Sequence, residues 1–238
     1  MAVSSESGGK PGKPEHPRRL RAVHPAAMVA IACSVLVLAN AALIALPSGW
    51  DVLAAIVGSA GVLAIGRWRE LSWRQMGLGS KTWRSGLRWG AAAVGLVAVF
   101  YALVVLLPVT RDVSSDLAPP AGSSVWVTSL LLIPLRTVIL EELTFRGLLW
   151  GLLERRAGPR WALYGSALAF GCWHVAPALS LADRTDGGVA ISILGVLAFS
   201  TLAGLVFGEM RRRSGSVIAP AALHWAANGL GLLAVYLA

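Results

Sequence analysis

The sequence predicts an all-α fold, a polytopic membrane helix bundle with about seven transmembrane helices. Three observations carry this. Hydrophobic residues make up 56% of the 238 positions, above the ~45–50% of soluble domains. Charged residues are 14%, against ~25% usually, and the mean hydropathy is +0.67. The basic residues fall in alternate gaps between apolar runs, the positive-inside pattern of membrane proteins. The net charge of +9 therefore follows from topology, and no nucleic-acid partner is expected.

Taken in order, residues 1–25 are polar and rich in Gly, Pro, Ser and charge, so they read as a disordered cytoplasmic tail. Arg18-Arg19 and Ala39-Asn40-Ala41 weakly resemble export and cleavage signals. The apolar run at 26–46 is long for a cleaved signal and right for a span, so it reads as a signal anchor. A short second span follows at about 52–66. Residues 67–88 then mix Trp68, Trp73 and Trp83 with Arg67, Arg69, Arg74, Lys81, Arg84 and Arg88. That mixture suits the headgroup layer, where indoles and cations both find partners.

The third span is expected at about 89–107 and a polar loop at 108–124. A fourth apolar stretch, 125–153, is long enough to project beyond the bilayer. The remaining spans are expected at 161–181, 189–207 and 217–237. The tail and the gaps after spans two, four and six hold seventeen Lys and Arg, whereas the opposite gaps hold only Arg111 and Arg184. This split puts the N-terminus in the cytoplasm of a multi-pass cell-membrane protein and supports an odd count of seven. Cys33 and Cys172 both lie in apolar spans without a CxxC spacing and read as small hydrophobes.

The chemistry lies in polar residues inside those spans. The fourth carries Arg136, Glu141, Glu142 and Arg146, the fifth His174, and the seventh His224 and Asn228. A charge near the bilayer centre costs roughly 2.5–3.5 kcal/mol on insertion scales. Such residues must be paired, line a wet cavity, or be used. Counted along their helices, Glu141, His174, His224 and Asn228 lie ~12–20 Å from the cytoplasmic side. Three helices thus offer polar groups at compatible depths.

Glu142 and Arg146 are four apart with the acid first, the favourable order for a helical ion pair. Glu141 points ~100° away and stays freer to accept a proton as a general base. His224 and Asn228 are also four apart and share a face; they offer a proton-handling group and an amide donor for an oxyanion. Phe170 precedes His174 by four and walls its side. Arg136 either pairs with Glu141, which would weaken its role as a base, or faces the outer loop. Taken singly, a buried Glu–Arg pair is more often structural than catalytic, and a membrane histidine is as often a helix–helix hydrogen bond as a catalyst. Together they exceed what packing requires.

These residues resemble the signature of the CPBP intramembrane proteases, also called the CAAX-protease and bacteriocin-processing family, or Abi family. Its blocks are EExxxR, FxxxH and HxxxN on successive membrane helices. They are matched by Glu141-Glu142-Leu143-Thr144-Phe145-Arg146, Phe170-Gly171-Cys172-Trp173-His174 and His224-Trp225-Ala226-Ala227-Asn228. The resemblance spans roughly 131–230, giving a membrane domain at 26–238 with a protease-like core at about 125–238.

The resemblance implies an intramembrane endopeptidase acting on a membrane-associated peptide or protein, prenylated and CAAX-like or of bacteriocin type. Glu141 and His174 would activate water, His224 and Asn228 would stabilise the oxyanion, and Glu142 with Arg146 would support the site. No cofactor is expected. Zn²⁺ on Glu141, His174 and His224 is the alternative, disfavoured because no HExxH is present and metal ligation would consume the base. The competing functional readings are a non-catalytic membrane immunity or scaffold protein and, less favoured, a proton-coupled transporter.

Overall fold

The computed structural model describes residues 50–107, 124–175 and 188–237, with isolated positions 30, 34 and 179. The tail at 1–25, most of the span expected at 26–46, Cys33, Arg111, Arg184, and most of the loop expected at 108–124 lie outside the described residues. So does most of the far end of the span expected at 161–181. All regular structure among the described residues is helical.

Helix α1 is Trp50–Trp68, and a single 3₁₀ turn, Ser80–Thr82, leads into α2, Trp83–Leu106. Helix α3 runs continuously over 125–157, α4 is Pro159–Trp173, α5 is Gly188–Ser214 and α6 is Ile218–Leu237. Four of these are long and apolar enough to cross a bilayer: α1, α2 with its leading turn, α5 and α6. Helix α3 would also reach across at ~1.5 Å per residue, but it carries the charged motif. The described part of α4 is shorter. The structure thus bears out an all-helical membrane architecture and leaves the count of seven as an expectation.

Burial is inverted relative to a water-soluble bundle. Phe199 and Leu96 are about three-quarters exposed, whereas Arg146 is fully buried. Apolar side chains lose nothing by facing lipid, so association of the helices depends on close approach and on polar contacts. Helices α4 and α5 pack extensively on each other, α6 packs on α2, and α1 lies against the middle of α3. Glycines set the closest approaches. A Cβ at Gly204 on α5 would come 2.9 Å from Ala167 Cα and 3.0 Å from its carbonyl oxygen.

Local chemistry sets the ends of the helices. The Ser124 hydroxyl accepts from the Val127 N–H at the start of α3. Gly158, at φ +88°, ends it, and Pro159 opens α4 in the first helical turn, where no N–H is required. Within α3 the winding widens to π turns at Thr128–Leu132, Pro134–Val138 and Leu143–Leu149. Pro134 cannot donate an i→i−4 bond, which loosens the ladder there. Thr137 and Thr144 hydroxyls bond back to the carbonyls of Ile133 and Leu140 at 3.0 and 2.7 Å, contacts that bend helices. A fourth π turn, Ala226–Leu230, interrupts α6.

The basic gaps gather at one end of the bundle. Arg155 donates to the Arg69 carbonyl at 2.9 Å. Arg211 donates to the Gln75 carbonyl at 3.0 Å, and the Val217 N–H to that of Gly77 at 3.0 Å. The connections after α1, α3 and α5 therefore share a face, as the alternation of charge requires. Arg136, whose partner the sequence left open, ion-pairs with Asp51 at 2.7 Å, at the opposite end of α1. It is thereby kept away from Glu141.

Substituting Gly204 by Ala should destabilise the protein by about 1–3 kcal/mol, the cost of overpacking a contact whose neighbour is backbone. The check is the thermal midpoint of the purified protein in detergent, compared with Gly195→Ala, where a Cβ meets nothing within 4 Å.

Candidate active site

The site is built where α3, α4, α5 and α6 meet. Glu142 is 1% exposed, Arg146 0% and His224 5%. Arg146 Nη1 donates to Glu142 Oε1 at 2.9 Å. His224 Nδ1 lies 2.9 Å from the same oxygen. An ionised carboxylate only accepts, so His224 carries its proton on Nδ1 in this contact. The i, i+4 pair expected within α3 is present, and it is extended by a third partner from α6.

Arg146 is also enclosed by aromatic rings. Its guanidinium carbon is 4.3 Å from the Phe170 centroid, 5.0 Å from Phe207 and 5.8 Å from Phe145. Desolvated cation–π contacts of this kind contribute about 2 kcal/mol. Arg146 Nη2 donates to the Gly204 carbonyl at 3.3 Å. Phe207 in turn stacks on the His224 ring, with centroids 4.9 Å apart and an interplanar angle of 23°. The arginine therefore ties α3 to α4 and α5, while Glu142 ties it to α6.

Glu141 points to a different side. Trp173 Nε1 donates to its Oε1 at 3.4 Å. Its Oε2 is buried and has no hydrogen-bond partner among the described residues. His224 Nε2 lies 3.9 Å from that oxygen. His224 thus stands between the two carboxylates, bonded to one and facing the other.

His174 caps the C-terminal end of α4. Its Nδ1 is 2.8 Å from the Phe170 carbonyl oxygen, which can only accept, so Nδ1 donates and Nε2 is left available. Its ring lies 4.5 Å from that of Phe170. Among the described residues it makes no hydrogen bond to Glu141 or His224. Asn228 lies in the π turn of α6, is exposed, and likewise makes none. The structure therefore brings Glu141, Glu142, Arg146 and His224 into one cluster and leaves His174 and Asn228 at its margin.

The sequence did not single out three contributors. Trp173 was visible only as the residue before His174. Phe207 lay in an apolar span with nothing to mark it. Arg211 had been assigned to the loop charges, yet it is 5% exposed, and its Nε donates to the Arg146 carbonyl at 3.1 Å. Among the described residues no three His, Cys, Asp or Glu side chains converge as a metal site.

The chain is a lipid-facing helical bundle that holds a buried carboxylate–histidine cluster. Residues 122–230 match the family model of Rce1-like proteins, described as type II CAAX prenyl endopeptidase. This part of the chain, which holds all three motifs, is similar to that CAAX-protease family. Neither a curated protein nor a solved structure matches the chain.

The two glutamates should differ sharply in what they do for stability. Glu142→Gln leaves the buried Arg146 uncompensated and should cost about 3–5 kcal/mol. Glu141→Gln, which disturbs a long contact to Trp173 and a 3.9 Å approach to His224, should cost less than about 1.5 kcal/mol. Thermal unfolding of both variants in the same detergent separates them.

Proposed function

We propose that the protein is an intramembrane endopeptidase that hydrolyses a peptide bond of a membrane-associated substrate with carboxylate-activated water. The observation that carries this reading is Glu141 Oε2, buried, unpartnered among the described residues, and 3.9 Å from His224 Nε2. That gap exceeds a direct hydrogen bond, and one water at about 2.8 Å from each atom could contact both.

In this reading Glu141 accepts a proton from the water as its oxygen bonds to the scissile carbonyl carbon. The carbonyl electron pair moves to oxygen and forms the oxyanion. Glu142 accepts the Nδ1–H of His224, so the ring can also donate from Nε2 when it is the imidazolium. Two carboxylates, one guanidinium and one imidazolium sum to zero charge, a favourable total in a low-dielectric site. Collapse of the tetrahedral intermediate breaks the C–N bond, and the proton held by Glu141 goes to the leaving amine. His174, with Nε2 available, assists in moving that proton. Asn228, one turn beyond His224, offers its amide N–H to the oxyanion.

The family match supports a lipid-anchored substrate of the prenylated CAAX type, with bacteriocin-like peptides the alternative within the same chemistry. The hydrolysis is proposed to be metal-free. The membrane orientation proposed has the N-terminus and the basic end of the bundle in the cytoplasm, with seven spans in all.

Purified protein in liposomes, offered lipid-anchored and unmodified peptides, should cleave one class. Glu141→Gln should lower the rate by about 10²–10⁴-fold, the usual contribution of a general base, with its thermal midpoint nearly unchanged. A chelator should leave the wild-type rate as it is. Full cleavage by Glu141→Gln sinks the reading. Loss to chelator with recovery on zinc would replace the metal-free mechanism, and a biological effect that survives Glu141→Gln would favour a scaffold.

A further inference from the structure

The connection between α1 and α2 carries chemistry that peptide hydrolysis does not use. It folds back on itself through two glycines. Gly77 adopts φ +73°, and a Cβ there would come 2.5 Å from Arg211 Nε. A Cβ at Gly79 would come 3.3 Å from Arg74 Cα. With both Cβ atoms absent, the turn Ser80–Thr82 closes toward Arg74. The result is an open cavity of about 810 Å³, with Trp73, Arg74, Ser80, Lys81 and Trp83 in its walls.

Its charge is one-sided. No acidic side chain lines it. Among the described residues neither the Arg74 guanidinium nor the Lys81 ammonium has a hydrogen-bond or ion-pair partner. A second cavity, of about 580 Å³, shares Arg74 but differs in kind. It contains Glu154, and its other cations are committed: Arg211 to the carbonyls of Arg146 and Gln75, Arg212 to Glu209. Only the first cavity offers two free cations with no anion beside them.

The indoles at its mouth are fixed. Trp83 Nε1 donates to the Leu78 carbonyl at 3.3 Å, and the Arg67 guanidinium lies over the Trp73 ring at 5.4 Å. Trp73 and Trp83 are both about half exposed, and Leu87, one turn below Trp83 on α2, is 60% exposed. The cavity therefore sits where two helices fit to cross a bilayer emerge at their basic end, with an apolar strip leading away from it. Cations, indoles and an apolar strip in that order match the headgroup, glycerol and acyl levels of one leaflet.

We propose that this cavity binds the headgroup of an anionic phospholipid from the surrounding leaflet. Arg74 and Lys81 engage the phosphate, Trp73 and Trp83 pack against the glycerol region, and an acyl chain descends past Leu87. The site is separate from the carboxylate cluster and does not depend on its chemistry.

Native mass spectrometry of the full-length protein, loaded with phosphatidylglycerol or phosphatidylcholine, tests this. Wild type should retain phosphatidylglycerol preferentially. Arg74→Gln with Lys81→Gln should weaken that retention about thirtyfold, about fivefold for each cation, the equivalent of ~1 kcal/mol per basic residue. Arg160→Gln, which removes a cation elsewhere, should change it less than about twofold. Neither cavity residue has a partner to lose, so the double variant should keep its thermal midpoint in phosphatidylcholine. Equal retention by wild type and the double variant overturns the site. So does an equal effect of Arg160→Gln, or a wild type without headgroup preference. Displacement of the lipid by excess glycerol 3-phosphate would show a free-phosphate site and overturn the lipid assignment.

Discussion

The fold of the motif-bearing half depends on one buried charge, the guanidinium of Arg146. It is fully buried, and each surrounding element supplies something it requires. Glu142 gives the counter-charge one turn back on α3, and α5 gives the Gly204 carbonyl. Phe170 of α4 and Phe207 of α5 give ring faces. In a lipid environment apolar burial does little to hold helices together, so a desolvated cation with partners on several helices fixes their arrangement. The same constraint orients the chemistry. Glu142 uses the oxygen that binds Arg146 to hold His224 Nδ1 as well, which turns the far side of the imidazole toward Glu141. The adjacent carboxylates thus differ in their partners: Glu142 is held by Arg146 and His224, and Glu141 by Trp173 alone at hydrogen-bond range.

The wide turns of α3 and α6 serve the same end. A π turn breaks the regular i→i−4 ladder, and single π turns are frequent at functional sites. Side chains from neighbouring helices bind the carbonyls in and beside these turns. Ser129 Oγ donates to the Gly229 carbonyl at 2.7 Å, and Trp225 Nε1 to that of Ser129 at 2.9 Å. Tyr101 donates to Ala227 at 2.9 Å, and Arg211 to Arg146 at 3.1 Å. Each bond is satisfied inside the bundle, as a membrane interior demands. Together they fix the rotation of the segments that carry Arg146 and Asn228.

The two ends of the molecule differ in character. At one end Arg136 and Asp51 form a single ion pair between α3 and α1. At the other, the cations of three connections meet, and Arg67, Arg155 and Arg211 are held by backbone carbonyls, Arg212 and Arg213 by Glu209. Arg74 and Lys81 stand apart from these uses. The connection between α1 and α2 thus differs from the α3–α6 junction, where the buried charges are paired within the bundle.

Much of this was legible in the sequence, and the reason is local. Helices, their apolar character, the Glu142–Arg146 pair and the gathering of basic gaps follow from spacings of one to four residues and from what a bilayer tolerates at each depth. The motifs placed Glu141, His174, His224 and Asn228 on three helices at matching levels, which the length of each helix determines. What the sequence did not contain was rotation and distance between helices. Only the tertiary structure decided that His224 binds Glu142 rather than standing free, and that Trp173, not His174, reaches Glu141. It likewise decided that Arg136 belongs to Asp51 and that Arg211 is buried against the Arg146 carbonyl. These contacts join residues many turns apart, and no local periodicity encodes which faces of two helices will touch.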